Sequence, residues 1–337
     1  MNPIGPKFRM MIIIVCAAVL TTAGLLRADN AAAQENLTYR LKWLFNVSVI
    51  GDLYARDAGF FEAVGLRVDV KAGGPERDAI RELELGYADF GVASADQVIR
   101  ARSKGAPVVV LAQLFQINPL QWIYRADEHT FEHIADFRGK TIGITYGGND
   151  ETIMRTILAK AGIQESDVHL FSVRYDFTPF FQRRADIWPV YRNAQGPILA
   201  DKLNAAGEPV GFFNPADHGV RFVANSVVTS RRALDQQPLI AAKFVRALLK
   251  GWEAALDPAN AQKALKMLQQ YDKDTPFPLM ERQLEITRRL IKPAPDVSVG
   301  RIDAAAWRQT EEIMLKQHLI PAPVAIADAI FPPGSDD

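Results

Sequence analysis

The sequence is poor in cysteine and has no excess of charge of either sign. Its 337 residues include one cysteine, Cys16, and 39 basic residues balance 39 acidic residues. A single cysteine excludes a disulfide framework and a cysteine-based metal site. The lack of net positive charge argues against a nucleic-acid-binding protein, because such proteins neutralise phosphates with lysine and arginine. A composition of 48% hydrophobic and 23% charged residues excludes a disordered chain.

The sequence also lacks the short motifs of several enzyme classes. It contains no G-x-S-x-G nucleophile elbow and no Rossmann glycine fingerprint. Residues 139–141 (GKT) resemble the end of a phosphate-binding loop, but Ile134 stands where that loop needs glycine. His129 and His133 do match the H-x-x-E-H pattern of zinc hydrolases, which leaves such an enzyme as an alternative. Their stretch is short and polar, so we expect a solvated connector, with no metal site, catalytic residue or cofactor.

Only the amino terminus has a hydrophobic run near membrane length. Residues 10–26 are an uncharged run of 17 residues that follows Lys7 and Arg9 and precedes three alanines at 31–33. This pattern predicts a cleaved signal peptide over residues 1–33 and a soluble periplasmic protein. A single membrane anchor is the alternative, because 17 residues is the short limit for a span. Cleavage would also remove Cys16.

The remainder of the chain alternates between strand-like and helix-like segments. This alternation predicts an α/β fold with two lobes, each a mixed sheet flanked by helices. From Pro238 onwards the pattern is helical nearly to the end. The predicted strands cover 38–45, 66–71, 88–92, 108–115, 121–124, 141–145, 168–173, 185–190, 209–213 and 222–229. The predicted helices cover 53–63, 76–85, 96–104, 150–161, 177–183, 194–206, a stretch from 238, 259–271, 277–290 and 303–317.

Aromatic, amide, carboxylate and glycine residues are concentrated near the ends of the predicted strands. In open α/β sheets, ligands bind beyond the carboxyl ends of the strands. Aromatic rings there would stack on a flat molecule, and amides would orient it. For Trp43 and Trp188 the alternative is a core position. The candidate ligand-binding residues are Trp43, Asn46, Gly73, Gly74, Ser94, Phe115, Gln116, Tyr146, Gly148, Asn149, Asp150, Asp186, Trp188 and Tyr191.

Four segments, in this order, resemble periplasmic substrate-binding proteins of the nitrate, sulfonate, taurine and thiamine-pyrimidine-precursor type. They are residues 59–62 (GFFE), 65–70 (GLRVDV), 86–91 (GYADFG) and 136–143 (DFRGKTIG). The resemblance covers about residues 38–290. Residues 186–193 and 215–220 are most similar to the pyrimidine-precursor branch, although His218 stands where that branch usually has tyrosine.

The resemblance implies the fold of type II-like periplasmic binding proteins, which close two lobes around one small molecule. It implies one lobe over 35–125 plus 222–337, a second over 126–221, and two crossovers that act as a hinge. The implied partner is an inner-membrane ABC permease that recognises the closed form. We expect a monomer that needs no cofactor and binds no nucleic acid.

Acidic residues at one predicted helix start bear on the charge of the ligand. Asp150 and Glu151 begin the helix of the second lobe, where their charges would repel an anion. We therefore favour a heteroaromatic thiamine precursor or a related amine, with Asp150 or Asp186 accepting its N–H groups. If Asp150 and Glu151 only cap the helix, this argument fails. An alkanesulfonate, taurine or nitrate binder is the alternative. A pyrimidine-forming enzyme is disfavoured because the mature chain lacks the cysteine-rich motif of such enzymes.

Overall fold

The computed structural model of the protein describes residues 34–74, 76–174 and 176–331. The predicted signal peptide, residues 1–33, lies outside the described residues. Within these three ranges, no helix is both long enough and apolar enough to cross a membrane. The description below concerns these residues, which form two five-stranded sheets with helices around them.

The first sheet has the strand order β2-β1-β3-β10-β4. Strands β1 and β3 are parallel, whereas β10 is antiparallel to both β3 and β4. Its strands are β1 (Glu35–Arg40), β2 (Leu66–Lys71), β3 (Phe90–Ala93), β4 (Val108–Gln113) and β10 (Ser226–Ser230). The helices that follow its strands are α1 (Ile50–Asp57), α2 (Ala79–Leu85) and α3 (Ala95–Ser103).

The second sheet has the strand order β7-β6-β8-β5-β9. Strand β6 is parallel to β7 and β8, and β5 is antiparallel to β8 and β9. Its strands are β5 (Leu120–Arg125), β6 (Thr141–Ile144), β7 (His169–Ser172), β8 (Ile187–Tyr191) and β9 (Val210–Phe213). Its helices are α4 (Asn149–Lys160), α5 (Thr178–Phe181) and α6 (Gln195–Ala205).

The carboxyl-terminal part is helical, as its hydrophobic pattern predicts. The longest helix buries one apolar face, including Phe244 and Trp252, against the first sheet and α1. These helices are α7 (Arg231–Gln236), α8 (Pro238–Leu256), α9 (Ala261–Leu268), α10 (Phe277–Ile291) and α11 (Ala304–Lys316). The predicted α/β architecture with two sheets is therefore confirmed.

The chain passes between the two sheets twice, after β4 and again before β10. The first passage corrects one detail of the sequence analysis. The division at residue 125 grouped β5 with the first lobe, but β5 hydrogen-bonds to β8 and β9 in the second sheet. The second sheet thus begins at Leu120. A short apolar strand carries no local mark of its partners, because pairing depends on residues far along the chain.

Both faces of the first sheet are covered, as β4 illustrates. Val109 and Leu111 belong to one hydrophobic cluster, whereas Val108 and Val110 belong to another. Successive side chains of a strand point to opposite faces, so a near-continuous apolar run is what a doubly covered strand requires. The second cluster also contains Ile142 of β6, so one apolar core continues from the first sheet into the second.

The start of the first helix differs from the prediction of a strand over 38–45 and a helix over 53–63. Strand β1 ends at Arg40, and helix α1 begins at Ile50. The side chain of Asn46 accepts a hydrogen bond from the backbone N–H of Ser48, which starts a short 3-10 turn before the helix. Gly59, with φ of +81°, lies just after the helix end. Residues 41–46 therefore form a loop between the strand and the 3-10 turn, in place of the predicted end of the strand.

Candidate functional site

A cavity of about 690 Å³ lies between the two sheets, and we call it the central cavity. Its walls include residues that follow β1, β2, β6 and β8, together with the residue before β10. Four strand ends of two α/β sheets thus meet at one cavity, the usual position for a ligand in such folds. Its volume is within the range of small-molecule sites.

Nine of the candidate residues line the central cavity. They come from three segments after strands of the two sheets and from β8 itself. They are Trp43, Asn46, Gly74, Tyr146, Gly148, Asn149, Asp150, Trp188 and Tyr191. The other five candidates, Gly73, Ser94, Phe115, Gln116 and Asp186, do not line it.

Asp186 lies at the wrong end of its strand to reach the central cavity. It precedes β8, whereas the cavity is at the carboxyl end of that strand, near Tyr191. Its carboxylate accepts a hydrogen bond from the backbone N–H of Thr141 at 2.8 Å and lies 3.3 Å from the His129 ring. The hypothesis that Asp186 receives N–H groups of the ligand is therefore wrong for this conformation.

Phe115 and Gln116 belong to the passage from β4 to β5. Phe115 is buried in the hydrophobic cluster of the first sheet. The amide of Gln116 donates to the backbone carbonyls of Gln113 and Arg301 at 2.9 and 2.8 Å. Strand β4 is the edge strand of its sheet, at the opposite edge from β2, and neither residue lines the cavity.

Gly73 and Ser94 do not line the central cavity themselves but form hydrogen bonds with residues that do. A Cβ atom on Gly73 would lie 2.0 Å from the backbone oxygen of Leu41, so only glycine allows this close approach. The Gly73 backbone N–H donates to the carbonyl of Trp43 at 2.9 Å, which fixes the loop after β1. Ser94 is the N-cap of α3, and its hydroxyl donates to the side-chain oxygen of Gln97, which does line the cavity.

Lys42 joins the two sheets across the central cavity. Its ammonium donates to Asn149 Oδ1 at 3.1 Å and to the Tyr191 hydroxyl at 3.3 Å. Lys42 follows β1 of the first sheet, whereas Tyr191 ends β8 of the second sheet and Asn149 begins α4, the helix after β6. These hydrogen bonds therefore span the cleft between the sheets.

Asp150 is buried at the start of α4, with its carboxylate turned back on the preceding loop. It accepts a hydrogen bond from the backbone N–H of Thr145. Burial raises the pKa of Asp150 to about 6, while the bond from Thr145 and the charge of Lys42 act in the opposite direction. The carboxylate thus binds the loop before its helix and also lines the cavity, whereas Gly148 is the N-cap of the helix.

The two candidate tryptophans differ in exposure. Trp43 is half-buried in the cavity wall. Trp188 is fully buried, with ring centroids of Phe171 and Phe180 at 6.0 and 5.8 Å. Trp188 is therefore both a core residue and a part of the wall, whereas Trp43 is a half-buried residue of the wall.

Three buried polar atoms on residues of the cavity wall have no hydrogen-bond partner among the described residues. They are Asn149 Nδ2, Trp188 Nε1 and Asn225 Oδ1. A buried donor or acceptor left unpaired costs about 1–3 kcal/mol. Two donors and one acceptor suit a ligand that carries both hydrogen-bonding types.

Several wall residues were not among the candidates. Lys42 and Thr145 are adjacent to strand ends, so the strand-end rule could have found them. The loop 271–274, which follows α9, has no such signal and reaches the cavity only through the packing of the helices. Four basic and four acidic side chains line the cavity, so the charges of its wall balance. The basic residues are Lys42, Arg77, Arg174 and Lys273, and the acidic residues are Asp78, Asp150, Asp272 and Asp274.

The H-x-x-E-H segment does not form the helix that a zinc site of this type requires. His129 follows a turn after β5, and His133 is the N-cap of a 3-10 turn over Ile134–Phe137. The His129 ring nitrogens face Lys140 at 3.5 Å and Asp186 at 3.3 Å. In the three described ranges, no cluster of three histidine, cysteine or acidic side chains could hold a metal ion.

Comparisons with known proteins agree with this architecture. The formylaminopyrimidine-binding protein of Halalkalibacterium halodurans is 27% identical over 329 residues, which cover 96% of this chain and 98% of that protein. The riboflavin-binding protein RibY of Chloroflexus aurantiacus is 25% identical, with 96% of this chain and 95% of that protein covered.

A solved structure, the periplasmic aliphatic sulphonate binding protein SsuA of Escherichia coli, matches with a TM-score of 0.69 at 17% identity. The match covers 88% of this chain and 97% of that one, and shows that the fold is that of periplasmic binding proteins. A family model described as NMT1/THI5 like matches residues 46–261. Because this match spans more than half of the sequence, the chain belongs to the NMT1/THI5-like family.

Proposed function

We propose that the protein is the ligand-binding component of a periplasmic ABC importer and binds a small nitrogen heteroaromatic of the pyrimidine thiamine-precursor type. The observation that supports this most directly is the central cavity, which combines aromatic rings with unpaired buried polar atoms. A flat ring with N–H groups and ring nitrogens would stack on the aromatic residues and pair with those atoms.

In this proposal the ligand ring stacks on Trp43 from the first sheet and on Tyr191 from the second. Asn149 Nδ2 donates to a ring nitrogen or carbonyl, and Asn225 Oδ1 accepts an N–H group. The names of two relatives support the class, since formylaminopyrimidine and riboflavin are both nitrogen heteroaromatics. Pairing of the unpaired atoms would favour binding over hydration of the cavity.

We also propose that the two sheets are the cores of two lobes that close on the ligand, with residues 114–119 and 214–225 as the hinge. The Lys42 bonds to Asn149 and Tyr191 would then form as the lobes close. A signal peptide over residues 1–33 would deliver a monomer to the periplasm, where an inner-membrane permease receives the ligand. Amino-terminal sequencing that returned residues 1–20 from a membrane fraction would contradict this location.

A sulfonate is the second candidate ligand, because basic side chains also line the central cavity. Lys42, Arg77 and Arg174 could pair with an anionic head group. The buried carboxylate of Asp150, next to Lys42, opposes this reading. Catalysis is a weaker alternative, since the H-x-x-E-H segment is not helical.

A thermal-shift screen of residues 34–337 against pyrimidines, flavins, alkanesulfonates and nitrate tests the ligand class. We expect the largest rise in melting temperature from a pyrimidine or flavin, because ligand binding stabilises the folded state. A larger rise with a sulfonate than with every heteroaromatic would favour the second candidate. Stoichiometric zinc that is lost in a His129→Ala variant would instead support an enzyme.

A further inference from the structure

A second cavity of about 440 Å³ lies on the other side of the segment that follows β8, and we call it the side groove. Tyr191 lines the central cavity, whereas its neighbour Arg192 lines the side groove. One wall comes from the second sheet and α6, and the other comes from α10. The residues that determine its chemistry are Gln121, Arg192, Phe212, Arg282, Ile286 and Arg289.

Strand register brings three of these side chains to one face of the second sheet. Gln121 is paired with Val190, and Phe212 is paired with Ile123. Arg192 continues the ladder, because its backbone N–H donates to the carbonyl of the residue before β5 at 2.9 Å. Side chains alternate along a strand, so Gln121, Arg192 and Phe212 lie on the same face. Helix α6 covers this face farther along and leaves the groove open beside its first turn.

Helix α10 supplies the opposite wall. Arg282, Ile286 and Arg289 are spaced four and three residues apart, so they lie on one face of the helix. Two of the arginines already have acidic partners: Arg282 pairs with Asp201, and Arg289 shares Glu285 with Arg288. Ile286 lies between them and gives this wall an apolar centre.

One guanidinium of the side groove, that of Arg192, has no acidic partner among the described residues. Among the residues that the structure describes, the guanidinium of Arg192 makes no ion pair and no hydrogen bond, and neither does the amide of Gln121. Phe212 is 39% exposed, which is unusual for phenylalanine. A guanidinium and an amide that have no described partner, together with an exposed aromatic ring, therefore line the same small groove.

We propose that the side groove is a second binding site, for a small organic monoanion with a flat apolar body, such as an aromatic carboxylate. The carboxylate would pair with the guanidinium of Arg192, whose planar fork matches two oxygens. The Gln121 amide would donate to the same group. The apolar body would cover Phe212 and Ile286, which are otherwise in contact with water. This site is independent of the ligand of the central cavity.

Methyl NMR of residues 34–337 with labelled isoleucine tests the proposal, with benzoate as the probe and benzamide as its neutral analogue. Benzoate should shift the Ile286 methyl signal in a saturable titration and leave Ile144, a buried residue of β6, unchanged. Benzamide should bind at least about tenfold more weakly, because it cannot form the charge-assisted pair. An unchanged Ile286 signal, or equal binding of benzamide, would overturn the proposal.

Two arginine variants separate this site from general charge attraction. Arg192→Gln should weaken benzoate binding by about tenfold, whereas Arg67→Gln should leave it unchanged. Arg67 is an exposed residue of β2 and does not line the groove. Arg192→Lys, which keeps the charge but loses the planar fork, should give an intermediate loss. Equal weakening by Arg192→Gln and Arg67→Gln would show that the charge of the whole protein, not this groove, attracts the anion.

Discussion

Replacement of Asp52 by asparagine should remove a large part of the pH dependence of stability. Asp52 is buried between α1 and α8, where its Oδ1 accepts hydrogen bonds from the Tyr39 hydroxyl at 2.8 Å and from Trp252 Nε1 at 3.2 Å. Burial raises the pKa of Asp52 to about 7, although both hydrogen bonds favour the ionised form. No basic side chain pairs with it among the described residues.

The sign of the effect follows from the direction of this shift. The folded protein binds the Asp52 proton up to about pH 7, whereas the unfolded chain releases it near pH 4. The contribution of Asp52 to stability is therefore fully present below pH 4 and is lost as the pH rises through 7. A shift from 3.8 to about 7 corresponds to a loss of about 4 kcal/mol in the free energy of unfolding.

Urea unfolding followed by tryptophan fluorescence at pH 5 and pH 8 measures this effect. Asparagine resembles the protonated acid and keeps an oxygen acceptor for Tyr39 and Trp252, so Asp52→Asn should be more stable than the parent at pH 8. The matched control is Asp69→Asn, an exposed carboxylate of β2 that should leave the pH profile unchanged. If the parent and Asp52→Asn lose stability in parallel between pH 5 and pH 8, the reasoning about this buried acid is wrong.

Three further results are expected. Trp43→Ala should weaken the binding of a heteroaromatic ligand by about 1–3 kcal/mol in titration calorimetry, because one stacking face is lost. The control is Phe212→Ala, which lies outside the central cavity. Asp150→Asn should abolish a rise in affinity for an amine-bearing ligand between pH 5 and pH 7, since the pKa of Asp150 is about 6. Gly51→Ala should lower the midpoint of urea unfolding strongly, because its Cβ would lie 1.9 Å from the Trp252 ring. The control is Gly105→Ala, whose Cβ would meet no atom within 4 Å, so that it tests backbone strain alone. An unchanged affinity of Trp43→Ala, a pH dependence that persists in Asp150→Asn, or a urea midpoint of Gly51→Ala equal to that of the parent would contradict the respective expectation.

Local patterns in the sequence predict most of the secondary structure. Strand β4 and helix α8 follow directly from a continuous apolar run and from a helical apolar face, because burial of each element depends on its own periodicity. Strand pairing is different. The partners of β5 lie more than sixty residues further along the chain, so its assignment to the second sheet depends on contacts that no local pattern records.

The same distinction applies to the central cavity. Trp43, Asn149 and Tyr191 follow or end strands whose carboxyl ends meet, so the strand-end rule brings them together. Asp186 could have been placed correctly from the same rule, since it lies near the amino end of the predicted strand 185–190. The loop 271–274 could not, because the packing of the carboxyl-terminal helices decides which helix ends reach the cleft.

The burial of Trp188 illustrates a further limit. A large aromatic residue at a strand end is compatible with either a core or a ligand-binding role, and the chain context is the same for both. The structure surrounds Trp188 with phenylalanines of α5 and β7, two elements whose packing on β8 no local pattern records. Only these neighbours distinguish it from Trp43, which remains half-buried.

A crystal structure of residues 34–337 with formylaminopyrimidine tests the central claim most directly. We predict the pyrimidine ring between Trp43 and Tyr191, with a ring nitrogen or the formyl oxygen within 3.2 Å of Asn149 Nδ2, as a hydrogen bond requires. Ligand bound elsewhere, or a central cavity that remains free of ligand at saturating concentration while a sulfonate occupies it in a parallel crystal, would contradict the account.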